Sequence, residues 1–214
     1  PLRFSHGPVF RSRHQAAQWR SRGWFDVHPG DAMLAVWGRP VSSRSEWALL
    51  QFKSFLNHVL HVSAFDLSSR SVRALYPRIR RLRPRLVYGY PSGLEALARQ
   101  AEQDGFRLDD LGVRLIGSTA EVLYGFQREL LKRSFGAPVA DVYGCAEFGS
   151  FAHQCPAGSM HISCENVLVE FLDEADRPVA PGSAGQVVVT SLHNPGMPLV
   201  RYRVGDMAVP LEGR

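Results

Sequence analysis

Two short segments combine glycines with carboxylates in a way that could hold a nucleotide. They are Asp141-Val-Tyr-Gly-Cys-Ala-Glu-Phe-Gly149 and Pro198-Leu-Val-Arg-Tyr-Arg-Val-Gly-Asp206. In each segment a carboxylate follows an apolar, strand-like run and lies beside a glycine. Glycine lets the backbone approach a ligand closely, and a carboxylate binds hydroxyl groups or a hard cation. The pattern therefore predicts two structural units that contribute to one ligand site.

A third loop, Gly117-Ser-Thr-Ala-Glu121, directly follows another apolar run. None of the three loops matches a P-loop or a dinucleotide-binding fingerprint. A structural interpretation also fits the residues, in which Glu121 caps the following helix and Glu147 is solvated. The residues alone therefore predict a ligand site on an α/β fold and leave that alternative open.

The elements that must position these loops alternate between short apolar runs and longer helical patterns. Strands are expected at 32–37, 59–63, 85–89, 113–118 and 139–143, and helices at 46–58, 68–81, from 92 and at 125–135. This alternation predicts a mostly parallel sheet with flanking helices. Ligands of such sheets bind beyond the carboxyl ends of the strands.

After Gly149 the pattern changes to strands without intervening helices. They are expected at 166–172, 186–192 and 199–204, and the connections between them are rich in turn residues. We therefore expect two parts of one larger domain: an α/β part at 1–149 and a smaller antiparallel β part at 150–214. In this scheme 204–206 is a loop at the end of a strand.

Composition indicates a globular protein, with 45% hydrophobic and 21% charged residues in a chain of 214. No apolar run is long enough to cross a bilayer, and residues 1–6 lack an apolar signal core. The net charge of +5 comes mostly from arginine, since only Lys53 and Lys132 are lysines. The basic run 78–85 predicts the exposed end of a helix better than a nucleic-acid surface. Three cysteines form no disulfide framework, which favours a reducing, cytoplasmic setting.

The three loops resemble core motifs of the acyl-adenylate-forming, AMP-binding superfamily. Tyr143-Gly-Cys-Ala-Glu147 with Gly149 is similar to its Tyr-Gly-x-(Thr/Ala)-Glu-x-Gly motif. Tyr202-Arg-Val-Gly-Asp206 is similar to the Tyr-(Arg/Lys)-Thr-Gly-Asp motif, with Val204 in place of threonine. Further similarity at 35–40, 88–92 and 168–170 points to the phenylacetate–CoA ligase branch. The resemblance extends over nearly the whole chain.

The resemblance implies a role for each matching residue. Asp206 would bind the ribose hydroxyls, and Glu147 would act in catalysis by holding a magnesium ion that bridges the ATP phosphates. The residues implied to contact adenine or the adenylate are Ser118, Thr119, Ala120, Glu121, Tyr143 and Gly144. The residues implied to line the acid pocket are Tyr88, Tyr90 and Pro91. The implied reaction joins an aryl or arylacetic acid to AMP and then to coenzyme A.

The remaining chemistry-bearing residues give weaker indications. Cys155 and His161 have types and spacing that could share a zinc ion, but two ligands do not complete a structural site. We therefore favour a buried thiol and a surface histidine, with zinc as the alternative. Cys145 is expected to pack within its loop without acting as a nucleophile. His6, His28 and the other histidines show no spacing that demands a function.

Two catalytic parts of the family are expected to lie outside this chain. The family's phosphate loop ends just before a Pro-Leu pair, and the chain begins with Pro1-Leu2. The family's mobile domain, which carries a catalytic lysine, follows the Gly-Asp segment. We therefore expect the central part of a ligase, inactive alone. The alternatives are a noncatalytic nucleotide-binding module, or carboxylate adenylation with an acceptor other than coenzyme A.

Overall fold

The computed structural model describes residues 3–38, 54 and 56–212. The helix expected at 46–58 lies mostly outside these residues, as does part of the similarity segment 35–40. The chain divides into two compact units. The α/β unit comprises 19–143 and 154–160, and the β unit comprises 1–18, 144–153 and 161–214. Residues 1–18 therefore group with the C-terminal part of the chain, while the expected domain boundary at residue 149 stays a prediction.

Helices and strands alternate through the first two thirds of the chain. The helices are α1 (Pro8–Gly23), α2 (Ser69–Leu82), α3 (Pro91–Gln103) and α4 (Gly125–Phe135). The first five strands that the structure describes are β1 (Met33–Trp37), β2 (Val59–Ser63), β3 (Leu86–Gly89), β4 (Leu115–Thr119) and β5 (Val139–Cys145). They are followed by β6 (Gly149–Gln154), β7 (Met160–Ile162), β8 (Val167–Leu172), β9 (Gly185–Ser191) and β10 (Tyr202–Ala208).

In the α/β unit, β1 to β5 form a parallel sheet in the order β2-β1-β3-β4-β5. Alternate strand residues face opposite sides, as the two-residue repeat of a strand requires. Leu34, Val36, Val87 and Ile116 pack with α2, α3 and α4 on one face. On the other face, Val27, Leu86, Leu115 and Ala140 form a second cluster with Trp19 and Phe25 beside it. The predicted fold class is confirmed.

Helix α2 contains the first part of the basic run 78–85. Ser68 caps its first turn, and its side chain accepts from the amide of Ser71. Ile79 is buried among the core residues, while Arg80 and Arg81 occupy the last turn. Cations at the C-terminus of a helix interact favourably with the helix dipole. Arg80 also pairs with Asp110.

In the β unit, β8, β9 and β10 form an antiparallel sheet in the order β10-β9-β8. The expected strand at 199–204 is shifted, since β10 begins at Tyr202. Arg201 has a φ of 47°, and its amide donates to the Thr190 side chain instead of a ladder partner. A left-handed residue interrupts regular pairing, and the strand therefore starts only after Arg201, at Tyr202.

Strands β6 and β7 and helix α1 were not expected from the sequence. The buried residues of α1 are Phe10, His14, Ala17 and Ser21, which lie on one face of the helix. Two of these four are polar, so the face does not show as an apolar stripe. Within the described residues, no helix has the length and apolar character needed to span a membrane.

Candidate functional site

The carboxyl ends of β3 and β4 carry the predicted adenine segment and part of the predicted acid pocket. Tyr88 pairs with Gly117 in the parallel register, and Gly89 pairs with Ser118. A Cβ on Gly117 would lie 2.6 Å from Cδ2 of Tyr88, so the tyrosine ring lies against bare backbone. Only glycine leaves room for the ring in this position.

Ser118 and Thr119 lie within β4, although the strand was expected to end at Ser118. Ser118 is fully buried, and among the described residues its hydroxyl has no hydrogen-bond partner. The Thr119 hydroxyl donates to the carbonyl of Val142, 2.8 Å away, which ties β4 to β5. Ala120 then turns the chain with a φ of 67°, a left-handed conformation that is uncommon outside glycine.

Glu121 caps a helix, but a different helix from the one expected. Its carboxylate accepts from the backbone amide of Ser92, at 3.1 Å, and from the Ser92 hydroxyl, at 3.0 Å. Ser92 lies in the first turn of α3, whose amides lack helical partners. The carboxylate therefore satisfies the positive end of α3. Its predicted contact with adenine stays a prediction.

An aromatic cluster surrounds the two predicted pocket tyrosines. Trp37 stacks on Tyr90 with ring centroids 4.4 Å apart and lies parallel to Tyr88 at 6.0 Å. The guanidinium of Arg22 lies 5.5 Å from the Tyr88 ring, and burial lowers the pKa of that arginine. Pro91 begins α3 beside Tyr90 and is buried. Trp37 was not singled out from the sequence, because it reads equally as the last residue of a buried strand.

The Tyr143–Gly144 peptide bond is the point at which the chain passes from the α/β unit to the β unit. Both residues lie within β5, although the strand was expected to end at Tyr143. At the start of the same strand, the carbonyl of Val139 accepts from Arg128 of α4. Arg128 also donates to the side chain of Gln154. The Gln154 side chain also accepts from the amide of Asp141, at 3.1 Å. These contacts fix the strand that leads into the motif.

The two glycines of the motif are required by close contacts inside the β unit, with backbone at Gly144 and with the His14 ring at Gly149. A Cβ on Gly144 would lie 2.1 Å from the carbonyl oxygen of Gly149 and 2.6 Å from the Cα of Ser150. A Cβ on Gly149 would lie 2.3 Å from Nε2 of His14, and Gly149 has a φ of 62°. The loop between β5 and β6 is therefore folded tightly on itself and against α1.

Glu147 lies on this tight loop and is held as a carboxylate. A hydrogen bond from its own backbone amide is the main cause that lowers its pKa, and bonds from Cys145 and Tyr202 add to the effect against the opposing effect of burial. The Tyr202 hydroxyl lies 3.2 Å from Oε1 of Glu147 and donates to it. Burial, followed by the bond to Glu147, raises the pKa of Tyr202. The hydroxyl therefore stays protonated as a donor at neutral pH.

The contact between Glu147 and Tyr202 joins the two motifs that stood out in the sequence. Tyr202 is the first residue of β10, and Asp206 lies further along the same strand. Asp206 is therefore inside a strand and not in the loop expected at its end. The pairing with β9 shifts register between Arg203 and Met207, and Gly205 has a φ of 91°. A glycine bulge of this kind lets the strand continue while turning a side chain to a new direction.

Cys145 is a poorly reactive thiol, in line with its expected packing role. Burial, mainly, raises its pKa to about 11, and the neighbouring Glu147 carboxylate adds to the shift. The thiol form therefore dominates at neutral pH, and the thiolate needed for nucleophilic attack is scarce.

The described residues contain no group of three or more His, Cys, Asp or Glu side chains arranged to hold a metal ion. Cys155 belongs to the α/β unit and His161 to the β unit. A zinc site at these two residues therefore gains no third ligand, and zinc stays an unsupported alternative. A single carboxylate at Glu147 is compatible with magnesium, which keeps most of its waters when it binds protein.

Each unit thus carries part of the predicted set. The α/β unit carries Tyr88, Tyr90, Pro91, Ser118, Thr119, Ala120, Glu121 and Tyr143, and the β unit carries Gly144, Glu147 and Asp206. Two further residues of the β unit contact Glu147 and were given no role from sequence. Tyr202 was part of a motif, which is a signal that could have identified it. His6, whose Nε2 lies 2.8 Å from the Glu147 carbonyl, had no such signal.

The chain is similar in sequence to known proteins that include a coenzyme A ligase. No protein-family model matches the chain. Protein CapK of Staphylococcus aureus is 22% identical over 189 residues, which cover 87% of this chain and 40% of CapK. The phenylacetate-coenzyme A ligase of Pseudomonas putida is 30% identical over 140 residues, which cover 63% of this chain and 32% of the ligase.

The fold is similar to that of solved ligases. The crystal structure of 2-hydroxyisobutyryl-CoA ligase, in complex with 2-HIB-AMP and CoA, superposes with a TM-score of 0.78 at 20% identity. The match covers 98% of this chain and 45% of that protein. The chain thus spans less than half the length of these relatives. The chain is therefore similar in sequence to phenylacetate-coenzyme A ligases and similar in fold to a solved acyl-CoA ligase.

Proposed function

We propose that this chain is the adenylate-holding part of an ATP-dependent acid–CoA ligase. The observation that carries the proposal is the Tyr202–Glu147 hydrogen bond, which links the Tyr-Gly-x-Ala-Glu loop to the strand that bears Asp206. The similarity to phenylacetate-coenzyme A ligase supports the same reaction class. Since the chain spans only part of its relatives, the proposal concerns the larger protein to which such a part belongs.

The proposed reaction has two steps. An oxygen of the substrate carboxylate attacks the α-phosphorus of ATP, the bond to the bridging oxygen breaks, and pyrophosphate leaves. The sulfur of coenzyme A then attacks the acyl carbon, loses its proton to solvent, and AMP leaves with the bonding electrons. Magnesium, when bound, would neutralise charge on the phosphates. Catalysis of this kind depends mainly on orientation and charge.

The residues of the chain have distinct tasks in this scheme. Asp206 accepts hydrogen bonds from the two ribose hydroxyls, for which a carboxylate offers two oxygens. Glu147, ionised because its pKa is lowered, holds the magnesium ion. Residues 118–121 and Tyr143–Gly144 contact the adenine and the adenylate. Ser118 of β4 is buried, and its hydroxyl has no hydrogen-bond partner among the residues that the structure describes.

The acid would be aromatic. Tyr88, Tyr90 and Trp37 present stacked rings at the carboxyl edge of the sheet, beside Pro91. Aromatic faces favour flat apolar ligands through stacking. The name of the Pseudomonas relative supports an arylacetic acid. Free thiols at Cys145, Cys155 and Cys164 support a reducing compartment such as the cytoplasm.

Binding of a stable adenylate analogue tests the proposal. Calorimetry with 5′-O-(N-phenylacetyl-sulfamoyl)adenosine should show one site per chain, and Asp206→Ala should abolish the binding. Asp176→Ala, which removes an exposed carboxylate that pairs with Arg203 in the same unit, is the control and should bind normally. No binding to the unaltered chain would contradict the proposal. Preferential binding of an unrelated RNA would favour the basic-surface alternative.

Adenylation by the chain itself is a second test. Without a phosphate loop and a catalytic lysine, the 214 residues should not catalyse ATP–pyrophosphate exchange at a useful rate. Rapid exchange by the purified chain would contradict this expectation. Binding of the analogue without exchange, even in a longer protein that contains the chain, would instead favour a noncatalytic nucleotide-binding module.

A further inference from the structure

The segment around His6 is clamped by a buried asparagine from the connection between β9 and β10. The Asn194 side chain is 5% exposed. Its Nδ2 donates to the carbonyl of Ser5, at 2.8 Å, and its Oδ1 accepts from the amide of Gly7, at 3.3 Å. The two bonds bracket His6 on both sides, so the backbone that carries the imidazole is fixed by one amide group.

The imidazole of His6 is fixed as well. It stacks on Phe10 with ring centroids 4.2 Å apart, and Phe10 stacks on the buried His14 at 5.0 Å. Nε2 of His6 lies 2.8 Å from the backbone carbonyl of Glu147. A carbonyl oxygen can only accept, so Nε2 carries the proton and donates it to this bond.

The hydrogen bond from His6 reaches the loop at Glu147, the proposed magnesium-binding residue. The side chain of Glu147 bonds to its own backbone amide and to Tyr202, so its direction depends on where its backbone is held. Further along the loop, Gly149 packs directly on the ring of His14. His6, just before α1, and His14, within α1, therefore contact the loop at the backbone carbonyl of Glu147 and at Gly149.

We propose that His6, clamped by Asn194, is a positioning residue for the Glu147 carboxylate. It fixes the backbone of residue 147, so that the carboxylate is presented to a divalent cation on a nucleotide without rearrangement of the loop. Preorganised ligands bind more tightly because less ordering remains to be done on binding. The proposal deepens the proposed function, because it rests on Glu147 as the magnesium-binding residue.

Two measurements on the 214-residue chain test this role. The first is amide hydrogen exchange of the peptide spanning 144–150 without ligand, and the second is the Kd for ATP with magnesium and with EDTA. Loss of one hydrogen bond to a partly buried loop corresponds to about a five- to tenfold change. His6→Ala should accelerate exchange of this peptide by that factor and weaken magnesium-dependent ATP binding similarly. Binding in EDTA should change less than twofold.

His6→Gln provides the rescue, because the glutamine Nε2 reaches the same region and still donates. It should restore both quantities to within twofold of the unaltered chain, whereas a purely steric role of the ring would not be rescued. Asn194→Ala should reproduce the effect of His6→Ala in weaker form. His193→Ala is the matched control, since its Nε2 also lies 2.8 Å from a glutamate carbonyl, that of Glu165, away from the loop.

The outcomes separate the two proposals. Unchanged exchange of 144–150 in His6→Ala, or no rescue by His6→Gln, would overturn the positioning role whatever the nucleotide does. If the unaltered chain binds no ATP, the proposed function fails, while the exchange measurement still decides whether His6 fixes the loop. Should His6→Ala fail to fold, the comparison of Asn194→Ala with His193→Ala decides in its place.

Discussion

A methyl group on Gly144 would lie 2.1 Å from the carbonyl oxygen of Gly149, a distance that no real side chain shows. The two motif glycines are thus coupled, because the first allows the backbone of the second to pass directly over it. The loop that carries Glu147 is closed by this contact. The motif requires glycine here for reasons of packing, apart from any ligand.

Gly144→Ala should therefore destabilise the chain even without nucleotide. Forcing a methyl group into a packed backbone costs about 1–3 kcal/mol of unfolding free energy. Urea unfolding measures the loss. Gly196→Ala is the control in the same unit, because a Cβ there meets nothing within 4 Å. Equal stability of the two variants would contradict the packing argument.

Tyr202→Phe should weaken the link between the two motifs. The variant loses only the hydroxyl that donates to Glu147, and one such bond is worth about 1 kcal/mol. Magnesium-dependent ATP binding should weaken severalfold in calorimetry. Tyr76→Phe removes a similar bond, from its hydroxyl to the carbonyl of Arg107 at 3.0 Å, and should leave binding unchanged. A Tyr202→Phe variant that binds normally would show that the contact has no part in presenting Glu147.

Much of the α/β unit could be predicted because its signals are local. The bounds of β2 and α4 and the cap at Ser68 follow from apolar runs, glycine and serine in the expected places. Helix α1 could not be predicted in this way. Its buried face includes His14 and Ser21, which are polar residues. The stacking of His14 on Phe10, which helps to bury the imidazole, is seen only in the structure.

The motifs named the residues of the candidate site, whose binding roles stay predictions. The surroundings of these residues were predicted less well. The motifs identified Glu147 and Asp206, yet Asp206 lies in a bulged strand because Gly205 adopts a positive φ. Glu121 caps α3, although the sequence suggested the following helix, because a contact with Ser92 depends on strand order. The role proposed for His6 depends on a contact across 141 residues, which no local pattern encodes.

The buried histidine of α1 should make the chain sensitive to acid. Burial, with a further contribution from nearby His6, lowers the pKa of His14 from its ordinary value of 6.5. The unfolded chain then binds a proton that the folded chain does not, so stability is complete above pH 6.5 and falls as the pH drops toward the lowered pKa.

Unfolding free energies measured between pH 5 and pH 8 test this expectation. His14→Leu should flatten the dependence of stability on pH in the acid part of this range. Phe10→Leu alters the same stack without removing a titrating group, and should lower stability at every pH while leaving the slope unchanged. An identical slope in His14→Leu and in the unaltered chain would rule out His14 as the source.

The three cysteines should differ in their reaction with iodoacetamide. Cys164 is exposed, whereas burial raises the pKa of Cys145 to about 11. At pH 8, peptide mapping should find Cys164 alkylated well before Cys145, because the thiolate is the reacting form. The rate at Cys145 should rise as the pH approaches 11. Rapid labelling of Cys145 at pH 7 would instead mark it as an activated thiol.

The central claim assigns different tasks to the two motif carboxylates, ribose to Asp206 and the metal ion to Glu147. Calorimetry of ATP binding, with magnesium and with EDTA, tests this division most directly. Asp206→Asn should weaken binding about tenfold or more under both conditions, because a charge-assisted bond to the ribose is lost. Glu147→Gln should weaken binding only when magnesium is present. Equal effects of both variants under both conditions, or no effect of Asp206→Asn, would contradict the account.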